Sequence, residues 1–349
     1  MSIPYRTRRV LNRVGTTLLV LLIAFILTWL CWVIWLQRYV VYTDGGATLD
    51  FSQSSYELVG EAAVEPVAEA NISIFYNEGA DAIDTSREMK QINGYYITND
   101  QVKNDYENVM LQIERLPAGT AVMIEMKGPY GSFFYSSKLG DATISASTNI
   151  PAMDALVERL KSKGFYTIAR ISALRDREFG DKKVTPGLYM LSRAGLWMDE
   201  GGMFWLDPTN ATTTSWITSV VLELKELGFD EVLLDEFRFP DSDAYIFSGD
   251  KAAALQNAAA NLMTTCASDD FTLSFCTDNI AFPLPEGRCR LYVDNISAAS
   301  IGNAVGQVTF EDPDIRLVFL SDNGDTRYDE YSVLRTIDVA EEVEARKAD

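Results

Sequence analysis

The sequence predicts an α/β protein, a (β/α)8 barrel preceded by one transmembrane helix, and three observations predict it. From Gln91 onward, strand-like apolar runs alternate with amphipathic helices. Continuous apolar strands separated by helices imply a parallel sheet buried on both faces. Seven such runs fall within about 250 residues, which suits a barrel of seven or eight β/α units better than a doubly wound sheet. No GxGxxG follows an early strand and no GxxxxGK(S/T) occurs, so the phosphate cradles of doubly wound nucleotide-binding folds are missing.

Residues 1–13 form a basic tail containing Arg6, Arg8, Arg9 and Arg13. Residues 14–36 then run without a charge, VGTTLLVLLIAFILTWLCWVIWL, long enough to cross a hydrocarbon core of roughly 30 Å as a helix. A cleaved signal peptide would have a shorter apolar region and a small-residue cleavage site, whereas WVIWLQRYVVYTDGG supplies Trp, Arg and Tyr. Four arginines precede the run and only Arg38 follows it closely. The positive-inside rule therefore leaves the amino terminus in the cytoplasm and the rest of the chain outside, with Trp29, Trp32, Trp35 and Tyr39 as an aromatic belt at the outer interface. Residues 37–90 mix Gly, Ser, Ala and Glu in runs such as GEAAVEPVAEA, without helical or strand period, and are expected to form an acidic, extended spacer. Within it NISIFYN, residues 71–77, has the composition of one further strand.

Residues 91–349 are the expected barrel domain. The strands are NGYYITN near 94, AVMIEMK at 121, YTIARIS at 166, EVLLDEF at 231, FTLSFCTDN at 271, RLYVDNIS at 291 and IRLVFLSD at 315. Between them, Met153, Leu156, Val157 and Leu160 share one face of a helix running to Lys163, with Gly164 as its left-handed cap. The same plan recurs with Ile217, Val220, Val221, Leu224 and Leu227, ended by Gly228. LKSKGFYTIARI and LKELGFDEVLLDE are thus two copies of one helix-to-strand device. A helix expected over residues 331–347 closes the chain. Of four cysteines Cys31 lies in the apolar run, which leaves Cys266, Cys276 and Cys289 with either one bridge among them or none, and no CxxC spacing for a metal.

Composition narrows the chemistry. The chain contains no histidine, which removes Ser-His-Asp triads, Cys-His pairs, HExxH zinc sites and histidine acid/base catalysis, and no nucleophile elbow points to an esterase. Net charge is −20; residues 1–40 hold five Arg and no acid, so 25 basic residues face 50 acidic ones beyond them, a balance of −25. An acidic body of that size repels nucleic acid and anionic polymers. SDNGDTRYDE (residues 321–330) lacks the D-x-(D/N)-x-(D/N)-G calcium spacing, so neither metal nor cofactor is assigned.

The strands are apolar and then finish in ionisable residues. Glu125 and Lys127 end the second, Arg170 the third, Asp235, Glu236 and Arg238 the fourth, Asp278 the fifth and Asp294 the sixth. A parallel barrel brings all these ends to one rim, where barrel enzymes keep their active sites and where salt bridges also hold loops. Glu125 and Lys127, two apart, are expected to share a strand face. Asp235 precedes RFP, in which Pro240 is expected to stop the strand, and Glu236 points with it only if the strand bends. Tyr130, Phe133, Phe134 and Tyr135 crowd one loop and Trp197, Phe204 and Trp205 another, suited either to loop packing or to stacking on sugar rings.

Several stretches resemble the putative glycosyl hydrolase domain family of bacterial surface proteins. LGFDEVLLDEFRFP is similar to its strand ending Asp-Tyr-(Ile/Val)-Arg-Phe-Pro, which places Asp235 and Arg238 and sets Glu236 at the family's Tyr. MIEMKGPYGSFFYSS resembles the second-strand pattern, with Lys127 at the family Lys and Glu125 where an Asp is usual; ARISALRD resembles the third-strand region. LWMDEGGMFWLDP resembles the Trp…Gly…Trp-x-Asp-Pro loop, placing Trp205, Asp207 and Pro208, and NGYYITN resembles the opening strand. The resemblance runs from about Gly94 to Asp294 and implies a glycosidase-like barrel.

The expected function is a membrane-anchored extracytoplasmic glycoside hydrolase acting on a cell-envelope or environmental polysaccharide. Such cleavage needs two carboxyl groups and no histidine. Asp235 is the expected nucleophile or base, with Glu236, Asp278 and Glu125 as candidates for the acid. Lys127, Arg170, Trp205, Asp207, Arg238 and Asp294 are the expected substrate-binding set, and Arg170, Arg238 and Lys127 the cations that hold Asp235 as a carboxylate. The alternative is a non-catalytic barrel that binds envelope glycan or a partner protein through its loop aromatics.

Overall fold

The structure is a computed structural model and describes residues 89–348, together with Leu22, Thr28, Trp29 and two short strands near the amino terminus. The span expected over 14–36 and the strand expected at 71–77 otherwise lie outside the described residues; among those described, no helix is long and apolar enough to cross a membrane. The chain divides into two units, 1–80 and 81–349. In the first, Val40–Thr43 and Gly46–Leu49 pair antiparallel, Thr43 opposite Gly46, within the stretch read as spacer.

The second unit is a closed parallel barrel of eight strands. These are β1 Asn93–Ile97, β2 Ala121–Lys127, β3 Tyr166–Ser172, β4 Glu231–Asp235, β5 Thr272–Cys276, β6 Leu291–Val293, β7 Leu317–Ser321 and β8 Ser332–Thr336. Each pairs in parallel with its neighbour in the chain, and β8 returns to β1 with Leu334 opposite Gly94. A Cβ on Gly94 would lie 1.8 Å from the Ala121 carbonyl oxygen, so only glycine permits β1 to approach β2 this closely. The helices are α1 Asn99–Arg115, α2 Ile150–Ser162, α3 Arg177–Lys182, α4 Ala211–Glu226, α5 Lys251–Cys266, α6 Ile301–Val305, α7 Pro313–Arg316 and α8 Ala340–Ala348.

Both predicted helix-to-strand devices form. Met153, Leu156, Val157 and Leu160 are the buried residues of α2, and Ile217, Val220, Val221 and Leu224 lie among those of α4. Gly164 and Gly228 follow with φ of +71° and +88°, the left-handed turn that feeds each helix into its strand. All seven expected strands are present. The helix expected over 331–347 is corrected: Ser332–Thr336 is the closing strand, and α8 starts only at Ala340. Every residue of β8 is buried, so it shows no alternation, and a short uninterrupted run does not reveal its period.

Side chains alternate between two cores. Ala121, Met123, Ile168, Leu233, Val318 and Leu334 fill the barrel, while Val122, Ile124, Ala169, Val232, Leu234 and Phe319 face the helices. The amino-terminal end of the barrel holds a polar plug instead. Glu231, fully buried, is ion-paired with Arg290 and accepts hydrogen bonds from Tyr166 (2.8 Å), Tyr292 (2.8 Å) and Ser274 (2.6 Å). Cys266, Cys276 and Cys289 are all free and buried, so no bridge forms among them.

Candidate active site

The carboxyl-terminal ends of β1, β3, β6 and β7 surround a cavity of about 570 Å³. Tyr96, Arg170, Asp294 and Asp322 face into it from those four strand ends. Inward direction follows strand parity: Arg170 and Asp235 lie two residues beyond the barrel-filling Ile168 and Leu233, and Cys276 on β5 belongs to the same interior layer.

Asp235 is the last residue of β4. Its Oδ2 accepts from Arg170 Nε (2.8 Å) and Nη2 (2.6 Å), and its Oδ1 accepts from the Glu236 backbone N–H (2.8 Å). Burial pulls the Arg170 guanidinium down, but the charge and hydrogen bonds of Asp235 and the nearby charge of Glu125 outweigh it and hold it above its ordinary range. Cys276 is the next residue round the barrel. Burial, followed by the charges of Asp235 and Asp294, pushes its thiol well up, so it remains neutral. Burial together with Asp322 likewise raises the phenol of Tyr96.

Pro240 is not what stops β4. The strand ends at Asp235 because Glu236 turns into the left-handed region with φ of +51°. That turn sends the two adjacent carboxylates to different cations. Glu236 Oε1 accepts from Arg175 Nη1 (3.1 Å), and Oε2 accepts from Arg238 Nε (2.9 Å) and Nη2 (2.8 Å). Arg175 also donates through Nε to Asp199 Oδ2 (2.7 Å), which accepts from Trp205 Nε1 (2.9 Å). Burial alone would raise the Asp199 carboxyl, yet the Met203 N–H, Arg175 and Trp205 together hold it below its ordinary range.

Glu125 and Lys127 part company, which corrects the expectation of a shared face. A register shift in β2 sets Glu125 opposite Arg170 but Lys127 opposite Ile171, and such a bulge re-aims the side chains beyond it. Glu125 stays near Arg170 and accepts the first N–H of α1, from Asn99 (3.0 Å). Lys127 is 2% exposed, donates to the Ser172 carbonyl (2.7 Å) and pairs with buried Asp176 (2.9 Å). Among the cations expected beside Asp235, Arg170 alone touches it. Asp207 lies off the mouth and accepts from the Thr209 N–H (2.8 Å) and hydroxyl (2.7 Å) in the turn into α4. Asp278 is exposed on the loop after β5. Of the loop aromatics, Phe133, Tyr135 and Trp205 are core residues, while Tyr130 is exposed and Trp197 partly so.

Tyr96 and Asp322 were missed by sequence reasoning. The signal for Asp322 was present, because LVFLSD ends in an acid like the strands before it; Tyr96 carries no such mark.

The sequence profile described as "Putative glycosyl hydrolase domain" matches residues 94–271, half of the chain. The chain belongs to this family. The match opens at Gly94 with β1 and closes at Phe271 before β5, so this putative glycosyl hydrolase domain carries Asp235 and Arg170 inside the matched region and Cys276, Asp294 and Asp322 beyond it. No match is found among curated proteins. Among solved structures, a hypothetical protein from Ruminiclostridium thermocellum is similar at 21% identity and TM-score 0.45, over 52% of this chain and 96% of that one. A GH36 α-galactosidase from Geobacillus stearothermophilus in complex with raffinose aligns at 12% identity and TM-score 0.50, over 76% of this chain and 42% of the enzyme. The α-galactosidase of Lactobacillus brevis aligns at 10% identity and TM-score 0.49, over 75% and 40%. This chain thus spans less than half the length of either α-galactosidase, and the likeness concerns the barrel fold alone.

Proposed function

We propose that the protein is a glycoside hydrolase in which Asp235 is the nucleophile or base and Asp294 the general acid. One observation carries this reading: Asp235 on β4 and Asp294 after β6 flank Cys276 on β5 at the barrel mouth, and both charges act on its thiol. Alternate strands lie about 10 Å apart, and inward side chains shorten the gap between their carboxylates toward that of a glycosidase pair. Asp235 has fixed donors on both oxygens, which suits a group that must remain a carboxylate facing a developing positive charge. Asp294 is exposed and lines the cavity, within reach of a leaving oxygen on a sugar bound there. Glu236 is committed to Arg175 and Arg238, Glu125 to the start of α1, and Asp278 stands exposed on the loop beyond β5. These three former candidates for the acid are less suited to it than Asp294.

We also place this activity outside the cell, on a membrane-anchored protein acting on an envelope or environmental polysaccharide. The uncharged run 14–36, the arginines before it and the acidic chain beyond it support that placement.

The test uses the full chain in detergent, presented with cell-wall and plant glycans, with fragments read by mass spectrometry. Asp235→Asn and Asp294→Asn are each expected to lower kcat by about 10²–10⁴-fold while glycan binding persists. Glycan retention without cleavage by the parent and both variants would instead make this a binding barrel.

A further inference from the structure

A second cavity, about 330 Å³, opens on the other side of the Asp235-Glu236 turn. Its walls are the loop between α3 and α4, with Trp197, Asp199 and Trp205, and the loop after β4, with Arg238 and Asp241; Arg175 closes it from the end of β3. We propose that this cleft is a second saccharide subsite, so that a glycan chain lies across the turn with one sugar in the barrel mouth and the next in the cleft. The proposal rests on the glycosidase reading and deepens it, naming an oligomeric substrate instead of a single terminal sugar.

The two cavities are linked through two adjacent carboxylates, each of which pairs with an arginine lining one of them. Asp235 takes Arg170 from the mouth side, and the adjacent Glu236 takes Arg175 and Arg238 from the cleft side. A chain occupying both would run past the Asp235-Glu236 pair, whose arginine partners line the two cavities. The chemistry of the cleft suits a neutral polyol. Its two guanidiniums are outnumbered by four carboxylates, those of Asp199, Glu200, Glu236 and Asp241, which disfavours an anionic ligand. Both guanidiniums are immobilised yet keep donors to offer: among the described residues no hydrogen bond engages Nη2 of Arg175 or Nη1 of Arg238. Rigid donors beside carboxylate acceptors match the alternating hydroxyls of a sugar.

Aromatic packing completes the cleft. The guanidiniums of Arg238 and Arg175 lie 5.0 and 5.8 Å from the centre of the buried Trp205 ring. Trp197 leans on Tyr245 at 5.5 Å and stays partly exposed on the cavity wall, where an indole offers a surface to sugar C–H groups. Gly201 keeps the cleft open, because a Cβ there would sit 2.7 Å from Arg175 Nη2 and 3.2 Å from Asp199 Oδ1. Glu236 fastens both arginines at the edge of the cleft.

The test compares the full chain with Trp197→Ala, Trp197→Phe and Gly201→Ala on oligosaccharides of increasing length from one cleaved glycan. The ratio of kcat/KM for a tetrasaccharide to that for a disaccharide is expected to fall by about tenfold in Trp197→Ala and Gly201→Ala and to recover in Trp197→Phe. An unchanged ratio in both alanine variants overturns the subsite, and a fall not rescued by phenylalanine overturns the role given to the Trp197 ring. If the parent cleaves no glycan, the glycosidase reading fails by itself. Oligosaccharide retention then decides the cleft: retention by the parent, lost in Trp197→Ala and Gly201→Ala, upholds it, and no difference between them overturns it.

Discussion

At the scale of single residues, the site turns on Glu236. Its φ of +51° costs a non-glycine residue about 1–2 kcal/mol, and two arginines hold it there. The same turn aims its N–H at Asp235 Oδ1. Glu236→Ala and Glu236→Gly lose the ion pairs equally, but only glycine adopts that φ freely. Glu236→Gly is therefore expected to be about 1 kcal/mol more stable than Glu236→Ala in urea unfolding and to retain more hydrolysis. Equal stabilities would mean that the turn is relaxed in the alanine protein. Asp235 was readable from the sequence as an acid ending an apolar strand, and Asp294 by the same sign. Where Glu236 points was not readable, since strand alternation fails at a left-handed residue.

At the scale of elements, the bulge in β2 decides the fate of Lys127. It turns the ammonium away from the mouth to Asp176, which caps α3 through the Phe179 N–H (2.9 Å) and also accepts from Trp216 Nε1 (3.2 Å). The pair thus ties β2 to the loop that carries Arg175. Removing one partner leaves a buried charge unmatched, so Asp176→Leu is expected to destabilise the protein by about 3–5 kcal/mol, and the double variant Lys127→Met/Asp176→Leu to recover most of that loss. Chemical denaturation of the three proteins checks it; a double variant no better than the single one would show the two charges to be independent. The sequence marked Lys127 as special through its motif but hid its partner. A one-residue register shift leaves no trace in an alternating pattern, and Asp176 lies 49 positions away. The closing strand was hidden for a related reason: SVLRT shows its nature only beside β1.

At the scale of the whole molecule, the barrel has a functional end and a structural end. The Glu231–Arg290 plug lies at the amino-terminal end, opposite the mouth, so Arg290→Met is expected to cost about 3–5 kcal/mol of stability with KM for the cleaved glycan unchanged. A shifted KM would tie the plug to the site. Burial, the largest cause in each case, raises the thiols of Cys266, Cys276 and Cys289 and the phenols of Tyr95, Tyr135, Tyr166 and Tyr292. Groups whose folded values are raised contribute their full stabilisation below the unfolded values, about 8.5 for thiols and 10 for phenols, and lose it as pH rises through and beyond them. Tm is therefore expected to fall above about pH 8.5 and more steeply above about 10; a Tm constant to pH 11 would contradict the burial of these groups. The sequence by itself determined the alternation of strands and helices, the order of the strands and the acids at their ends, because periodicity and turn chemistry are local. Only the tertiary structure decided which acids and arginines meet, where the barrel closes and that a second cleft adjoins the mouth, because closure, bulges and ion pairs depend on residues distant in sequence.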